Sequence, residues 1–247
     1  MPQFFINKEN IQEDKILITN LSDINHITNV LRHRKKDRLV LAGPENYVYE
    51  AEIVSIKPDL IEAKITDKYF SDKRLKINIT LAQSIIKSQK QDFLIQKSTE
   101  LGVRTIIPFV SKNTVVKFDS EKDKLQKVQR WQKIVYESAK QCQRGDLAEI
   151  KPVSTFDEII NLQNFDIKIV CSEKENTFSI KQFLSEHKLK ENADILLVIG
   201  PEGGWSDKEI NKFEEKGFAS VTLGKLIYRA ETAVTAAISH IIYEYEL

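Results

Sequence analysis

The chain has 247 residues and a formal net charge of +1, with 41% hydrophobic and 30% charged residues, a balance suited to a soluble protein of one or two domains whose core needs no staples. No apolar run reaches the ~18 residues of a membrane span, and Met1-Pro2-Gln3-Phe4-Phe5-Ile6 lacks the basic-then-apolar order of a secretory signal, so a cytoplasmic location is expected. Cys142 and Cys171 are isolated, and the four histidines (His26, His33, His187, His240) fall in no pattern with a nucleophile, which argues against a zinc module, a disulfide framework and a hydrolase triad.

Residues 1–70 read as short strands around one short helix. Strands are predicted at 4–6, 15–18, 38–41, 48–54 and 60–65, separated by turn formers such as Gly43-Pro44-Glu45-Asn46 and Lys57-Pro58-Asp59. Residues 22–32 are predicted helical, with Ile24, Ile27, Val30 and Leu31 on one face and Ser22 as N-cap. Many closely spaced strands predict a small β-barrel.

Past the polar link Asp72-Lys73-Arg74, residues 71–247 alternate strand and helix. Strands are predicted at 77–82, 106–110, 167–171, 194–199 and 221–223, and helices at 89–101, 125–142, 180–187, 206–216 and 229–245. Gly102 and Gly217 close two of the helices, and Ser206 with Glu209 forms a capping box. The alternation predicts a parallel α/β sheet. The nearly unbroken apolar run at 194–199 predicts a strand buried on both faces.

Charge is unevenly spread. From Lys68 to Arg144, 17 Lys or Arg stand against 7 Asp or Glu, a local balance of +10 in a chain whose total is +1. A second cluster is Arg32, His33, Arg34, Lys35, Lys36 and Arg38. Such clusters serve solubility, and two of them also fit an RNA or DNA partner.

Three stretches carry the candidate chemistry. The buried strand runs directly into Gly200-Pro201-Glu202-Gly203-Gly204 and a capped helix follows; this is either a tight turn or a ligand cradle at the C-terminal edge of the sheet. It lacks the glycine order of a dinucleotide fold and the Lys-Ser/Thr of a P-loop, which weakens an oxidoreductase or NTPase reading. Leu223-Gly224 again leaves a strand and enters a helix bearing Arg229, Glu231 and Thr232, read as a functional cluster or as a structural pair with a cap. Gln141 and Arg144 share a face at the end of the basic helix, where a cation is also favoured by the helix dipole. His26 lies opposite the apolar face of its helix, open to an RNA contact.

In this order and spacing the sequence resembles the SPOUT class of S-adenosylmethionine-dependent RNA methyltransferases. More narrowly, it looks like the bacterial family that methylates N3 of a uridine in 16S ribosomal RNA. The resemblance spans essentially the whole chain: His26 with Val30-Leu31-Arg32, Lys87, Lys97 to Val103 with Ile107-Pro108, then Trp131, Ala139, Gln141 and Arg144. It continues through Ile199 to Gly204 with Ser206 and Glu209, Leu223-Gly224, and Arg229-Ala230-Glu231-Thr232-Ala233. There are two departures from the family pattern: Gln3 stands where it usually has Arg, and Leu226-Ile227-Tyr228 where it usually has Arg-Ile-Leu.

The resemblance implies a PUA-like RNA-binding barrel over 1–70 and, over 71–247, a parallel-sheet SPOUT domain with a trefoil knot, a feature that general topology rules would argue against. It implies a homodimer whose donor pocket lies beside the subunit interface. The donor, S-adenosylmethionine, would be held by Cys171 and Ser172, by Ile199, Gly200, Pro201, Glu202, Gly203 and Gly204, and by Leu223, Gly224, Leu226 and Ile227. Arg229 and Arg144 are expected to stabilise the uridine anion, with Glu202 and Glu231 positioning it or accepting its proton. His26, Arg32, Arg34, Lys87, Lys90 and Lys97 are expected to contact RNA on the 30S subunit, and no metal is needed. Two further readings remain open: a SPOUT enzyme acting on another RNA, and a non-catalytic RNA-binding ribosome assembly factor.

Overall fold

The computed structural model describes residues 3–247; Met1 and Pro2, which open the expected first domain, lie outside the described residues. The chain forms two compact units. One runs through Arg74 and takes back the segment Ala139–Leu147, and the other comprises Leu75–Ser138 and Ala148–Leu247. The division therefore falls beyond the expected residue 70, and the end of the long basic helix belongs to the first unit.

The first unit holds β1 (Gln3–Phe5), β2 (Ile11–Gln12), β3 (Lys15–Ile18), β4 (Arg38–Ala42), β5 (Tyr47–Lys57) and β6 (Leu60–Phe70). They pair in the order β1-β4-β5-β6-β3-β2, antiparallel except for β1 on β4. Alternate residues gather in one apolar cluster: Leu39 and Leu41, Tyr49, Ala51 and Ile53, Ile61 and Ala63. Register shifts at Glu50/Ala51 and Ile53/Ser55 bend the long β5–β6 ribbon.

The helix predicted at 22–32 is instead α1 (Leu21–Asn25) followed by a π-helical turn, His26–Val30. Asn20 rather than Ser22 is the cap; its side-chain oxygen accepts from the N–H groups of Ser22 and Asp23. The Thr28 hydroxyl bonds back to the Ile24 carbonyl at 2.8 Å, and the Leu31 N–H reaches the His26 carbonyl at 2.9 Å. Arg32 then turns left-handed at φ +57°, which ends the helix.

The second unit follows as β7 (Asn78–Ser84), α2 (Ser88–Glu100), β8 (Thr105–Val110), α3 (Glu121–Cys142), β9 (Glu149–Ile150), β10 (Ser154–Thr155), α4 (Phe156–Ile160), β11 (Ile167–Cys171), α5 (Ile180–Glu186), β12 (Asp194–Ile199), α6 (Asp207–Glu215), β13 (Ala219–Val221) and α7 (Ala230–Glu246). The sheet order is β10-β8-β7-β12-β11-β13, with β9 beside β8, and each pairing is parallel. On β12, Ile195, Leu197 and Ile199 join one apolar cluster with Trp131, Val135 and Val234. Leu196 and Val198 join another with Trp205 and Phe213. Both faces are buried, which is what an unbroken apolar run requires.

Strands β9 and β10 and helix α4 escape the sequence reading. Two-residue strands have no periodicity to read, and the only mark of α4 is the capping box of Thr155 and Glu158. The last strand ends at Val221 instead of 223, because Thr222 forms a lone bridge with Ser179. No helix among the described residues is long and apolar enough to cross a membrane.

Candidate active site

Because β12, β11 and β13 are neighbours and parallel, their C-terminal ends open on one edge of the sheet, the edge where open α/β sheets bind ligands. The segments that leave these strands line a single cavity of about 980 Å³. Cys171 and Ser172, the loop from Ile199 to Gly204, and Leu223, Gly224, Leu226 and Ile227 all face it. The wall also includes Glu173, Glu175 and Thr177 between β11 and α5, and Lys225 and Tyr228 before α7. Sequence reasoning missed Glu173, Glu175 and Thr177; the polar run Ser172 to Thr177, leaving a strand at the ligand edge, was the available signal.

Packing fixes the glycine loop. A Cβ on Gly200 would stand 2.9 Å from Cε2 of the Trp205 indole. Trp205 itself is 2% exposed and packs against Phe109 and Phe213. Gly204 has φ +65°, and a Cβ there would strike the Glu173 carboxylate, so both backbone and space call for glycine.

The cavity wall carries Lys90, Lys225 and Arg229 together with Glu173, Glu175 and Glu202. Glu202 forms an ion pair with Lys90. The Glu175 carboxyl is held down to about 2, first by the Phe178 N–H, then by the Thr177 hydroxyl and N–H, so it is a fixed anion. Burial pushes the Cys171 thiol up to about 12, leaving a neutral surface. Arg229 is exposed at the N-cap of α7 and makes no side-chain capping bond.

Arg144 belongs to the first unit, 7% exposed, with Nε and Nη2 donating to Asp146 Oδ1 at 3.1 and 2.9 Å. Its carbonyl accepts from the Gln3 amide, and Gln3 is buried, so the position that departs from the family is an internal strut. Glu231 lies half-buried in the first turn of α7, with Oε2 buried and unbonded. Of the expected RNA contacts, Lys90 lines the cavity, Lys87 is exposed at the N-cap of α2, and Lys97 pairs with Glu100 at 2.8 Å. In the first unit Arg32 and Arg34 are exposed. His26 there is half-buried, its Nδ1 3.3 Å from Lys140 Nζ and its ring edge-on to Phe4.

Comparison with known proteins matches residues 73–242 to an RNA methyltransferase domain and residues 18–66 to an RNA methyltransferase PUA domain. The chain is 30% identical to ribosomal RNA small subunit methyltransferase E of Bacillus subtilis, covering 100% of this chain and 98% of that protein. It is 34% identical to the protein of the same name from Mesomycoplasma hyopneumoniae, over 94% and 95% of the two chains. Among solved structures it resembles ribosomal RNA small subunit methyltransferase E of Neisseria gonorrhoeae bound to S-adenosyl methionine, at 29% identity and a TM-score of 0.87, covering 99% of this chain and 98% of that one.

Proposed function

The chain belongs to the ribosomal RNA small subunit methyltransferase E family, and from that premise we propose that it methylates N3 of one uridine in 16S ribosomal RNA. It is an S-adenosylmethionine-dependent rRNA methyltransferase. In our reading its substrate is the assembled 30S subunit in the cytoplasm, and it acts as a homodimer with the knotted SPOUT topology of its class. The observation that carries this reading is the meeting of three strand exits in one cavity with Arg229 and Glu202 on its wall.

The residues present fit the donor. Ile199, Leu223, Leu226 and Ile227 offer an apolar surface for a purine, and the glycines admit close backbone approach. The carboxylates of Glu173 and Glu175 suit a ligand with two cationic centres. Once bound, S-adenosylmethionine supplies a methyl group already activated on a sulfonium.

Uridine N3 carries a proton and attacks only after losing it. The protein's task is to favour the anion, whose charge spreads to O2 and O4, and to hold N3 in line with the methyl group. Arg229 is assigned the first cationic contact to that anion. Arg144, drawn from its pair with Asp146, is the second, supplied within the homodimer. The N3 proton passes to a carboxylate, with Glu202 the first candidate and Glu231 the second. The new N–CH₃ bond forms as the C–S bond breaks, leaving a neutral thioether. Arg32, Arg34, Lys87, Lys90 and Lys97 neutralise phosphates and His26 adds a polar contact, so binding should weaken steeply with salt.

Donor-dependent methylation of 30S subunits and of naked 16S RNA, mapped to the nucleotide, tests the reading. A single N3-methyluridine formed on 30S supports it. Methyl transfer to another RNA or another atom overturns it. Absence of calorimetric heat with S-adenosylmethionine and S-adenosylhomocysteine would instead mark a non-catalytic RNA-binding factor.

A further inference from the structure

The loop that leaves β8 and enters α3 contributes nothing to the cavity lining, yet it is bonded to the loop that does. Asn113 Nδ2 donates to two successive carbonyls, Gly203 O at 3.1 Å and Gly204 O at 3.0 Å. The neighbouring Lys112 N–H donates to Glu209 Oε1 at 2.9 Å. The other oxygen of Glu209 caps α6 by accepting from the Ser206 N–H and hydroxyl at 2.9 and 2.7 Å.

The base of the β8 loop is anchored in turn. The hydroxyls of Ser84, Ser111 and Thr114 lie 2.7, 3.0 and 3.1 Å from one another. Ser84 ends β7, the strand between β8 and β12. Its neighbour Gln83 donates to the Gly200 carbonyl at 3.2 Å. Polar contacts therefore tie together the C-terminal ends of three adjacent strands.

Asn113 has a particular place in this arrangement. A peptide group is planar, with its C=O and N–H pointing opposite ways, so fixing both ends fixes the plane. In the 203–204 peptide, Asn113 holds the carbonyl and the Gly204 N–H donates to the Pro201 carbonyl at 3.0 Å. In the 204–205 peptide, Asn113 holds the carbonyl and the Trp205 N–H donates to Glu173 Oε1 at 3.2 Å. One amide thus clamps two consecutive planes on either side of Gly204, the residue with φ +65°. Packing leaves it little slack, since a Cβ on Gly203 would meet Asn113 Cβ at 3.0 Å.

We propose that Asn113 is a positioning residue for the methyl donor: from outside the cavity it sets the orientation of the two peptides that form the Gly203–Gly204 wall. The proposal rests on the donor-site reading above. Only a side chain with a hydrogen-bond donor serves, because both partners are carbonyl oxygens. Asn113→Ala removes two hydrogen bonds, and Asn113→Asp, nearly the same size, sets a carboxylate against two carbonyls.

The test is donor affinity by calorimetry with S-adenosylmethionine, alongside KM for each substrate, kcat and thermal unfolding. Asn113→Ala is expected to weaken donor binding about tenfold, with KM for RNA and kcat within about twofold of the parent. Asn113→Asp should be weaker than Asn113→Ala, and Asn113→Ser, which keeps one hydroxyl donor, should lie between the parent and Asn113→Ala. Donor Kd within twofold of the parent in these variants overturns the proposal. So does a fall in kcat and both KM effects in step with the melting temperature, the mark of a purely structural brace. Should Asn113→Ala not fold, the Asn113→Ser and Asn113→Asp pair decides by the same criteria. If the parent binds no donor at all, it is the donor-site reading that fails.

Discussion

The indole Nε1 of Trp205 donates to the backbone carbonyl of Cys171 at 2.8 Å, a buried bond between residues 34 positions apart. It ties the end of β11 to the loop that follows β12, so two of the three segments lining the cavity share one anchor. Trp205→Phe keeps an aromatic ring but leaves that carbonyl without its donor. The expected cost is about 1–3 kcal/mol, read by urea denaturation, together with a weaker donor complex by calorimetry. An unchanged midpoint and an unchanged donor Kd would show that the anchor is dispensable.

Gly200 lies against the same indole. Its added Cβ would sit 2.9 Å from Cε2, and Trp205 cannot retreat readily with Phe109 and Phe213 packed against it. Gly200→Ala should therefore push the loop toward the cavity. Overpacking of this kind costs about 1–3 kcal/mol, and the larger effect should fall on donor binding, with secondary structure by circular dichroism unchanged. Donor affinity equal to that of the parent would refute the close-packing argument.

Glu175 gives an acid-pH signature. Its carboxyl is held at about 2, against an ordinary 4.5, by the N–H groups and hydroxyl of the Phe178–Thr177 turn. A depressed carboxyl stabilises the folded state above the ordinary value and loses that contribution as pH falls through the folded one. The Glu175-dependent part of stability should thus fade between about 4.5 and about 2. Glu175→Gln should flatten the acid limb of a pH–stability curve in that window. A parallel curve, merely displaced, would mean that the turn does not hold the carboxylate.

These cases show where sequence is legible. The strands at 15–18, 167–171 and 194–199 appear at their expected bounds, because apolar runs flanked by polar turns leave little freedom. Glycine and turn residues just beyond two of the exits marked where a ligand could approach. Side-chain partners across long sequence separations left no such trace. Gln3 bonds to the Arg144 carbonyl 141 positions away, and Asn113 reaches Gly203 across 90. Lys140 and Arg144 were read within a basic surface, yet both are buried with acidic partners. Composition counts charges without saying which are already neutralised.

Lys140 makes the point testable. Its Nζ lies 3.2 Å from Asp23 Oδ1, with side chains only 4% and 2% exposed. Lys140→Met removes one charge of this buried pair and takes the ammonium away from the Asp23 carboxylate, which typically costs about 3–5 kcal/mol. Removing both, in Asp23→Asn with Lys140→Met, should recover most of that loss, since a buried pair and a neutral replacement are often close in free energy. Equal destabilisation by the single and double variants, measured by denaturant unfolding, would sink this account.

Arg229 and Arg144 differ in what their removal tests. Arg229 is exposed on the cavity wall at the start of α7, so Arg229→Ala should leave folding intact. If it stabilises the uridine anion, kcat should fall about 10²–10³-fold, the usual loss for one preorganised donor to a developing charge. Donor Kd should move far less, because the anion exists only with RNA bound. Arg229→Lys keeps the charge without the planar fork and should recover part of the rate. Arg144→Ala cannot be read alone, since it leaves Asp146 unpaired. The informative comparison is Arg144→Ala with Asp146→Asn against Asp146→Asn by itself, on 30S subunits at saturating donor. Normal turnover in both Arg229→Ala and that double variant would remove the electrostatic pair from the mechanism, whereas loss in Arg229→Ala alone would leave one cation at the anion and return Arg144 to a structural role.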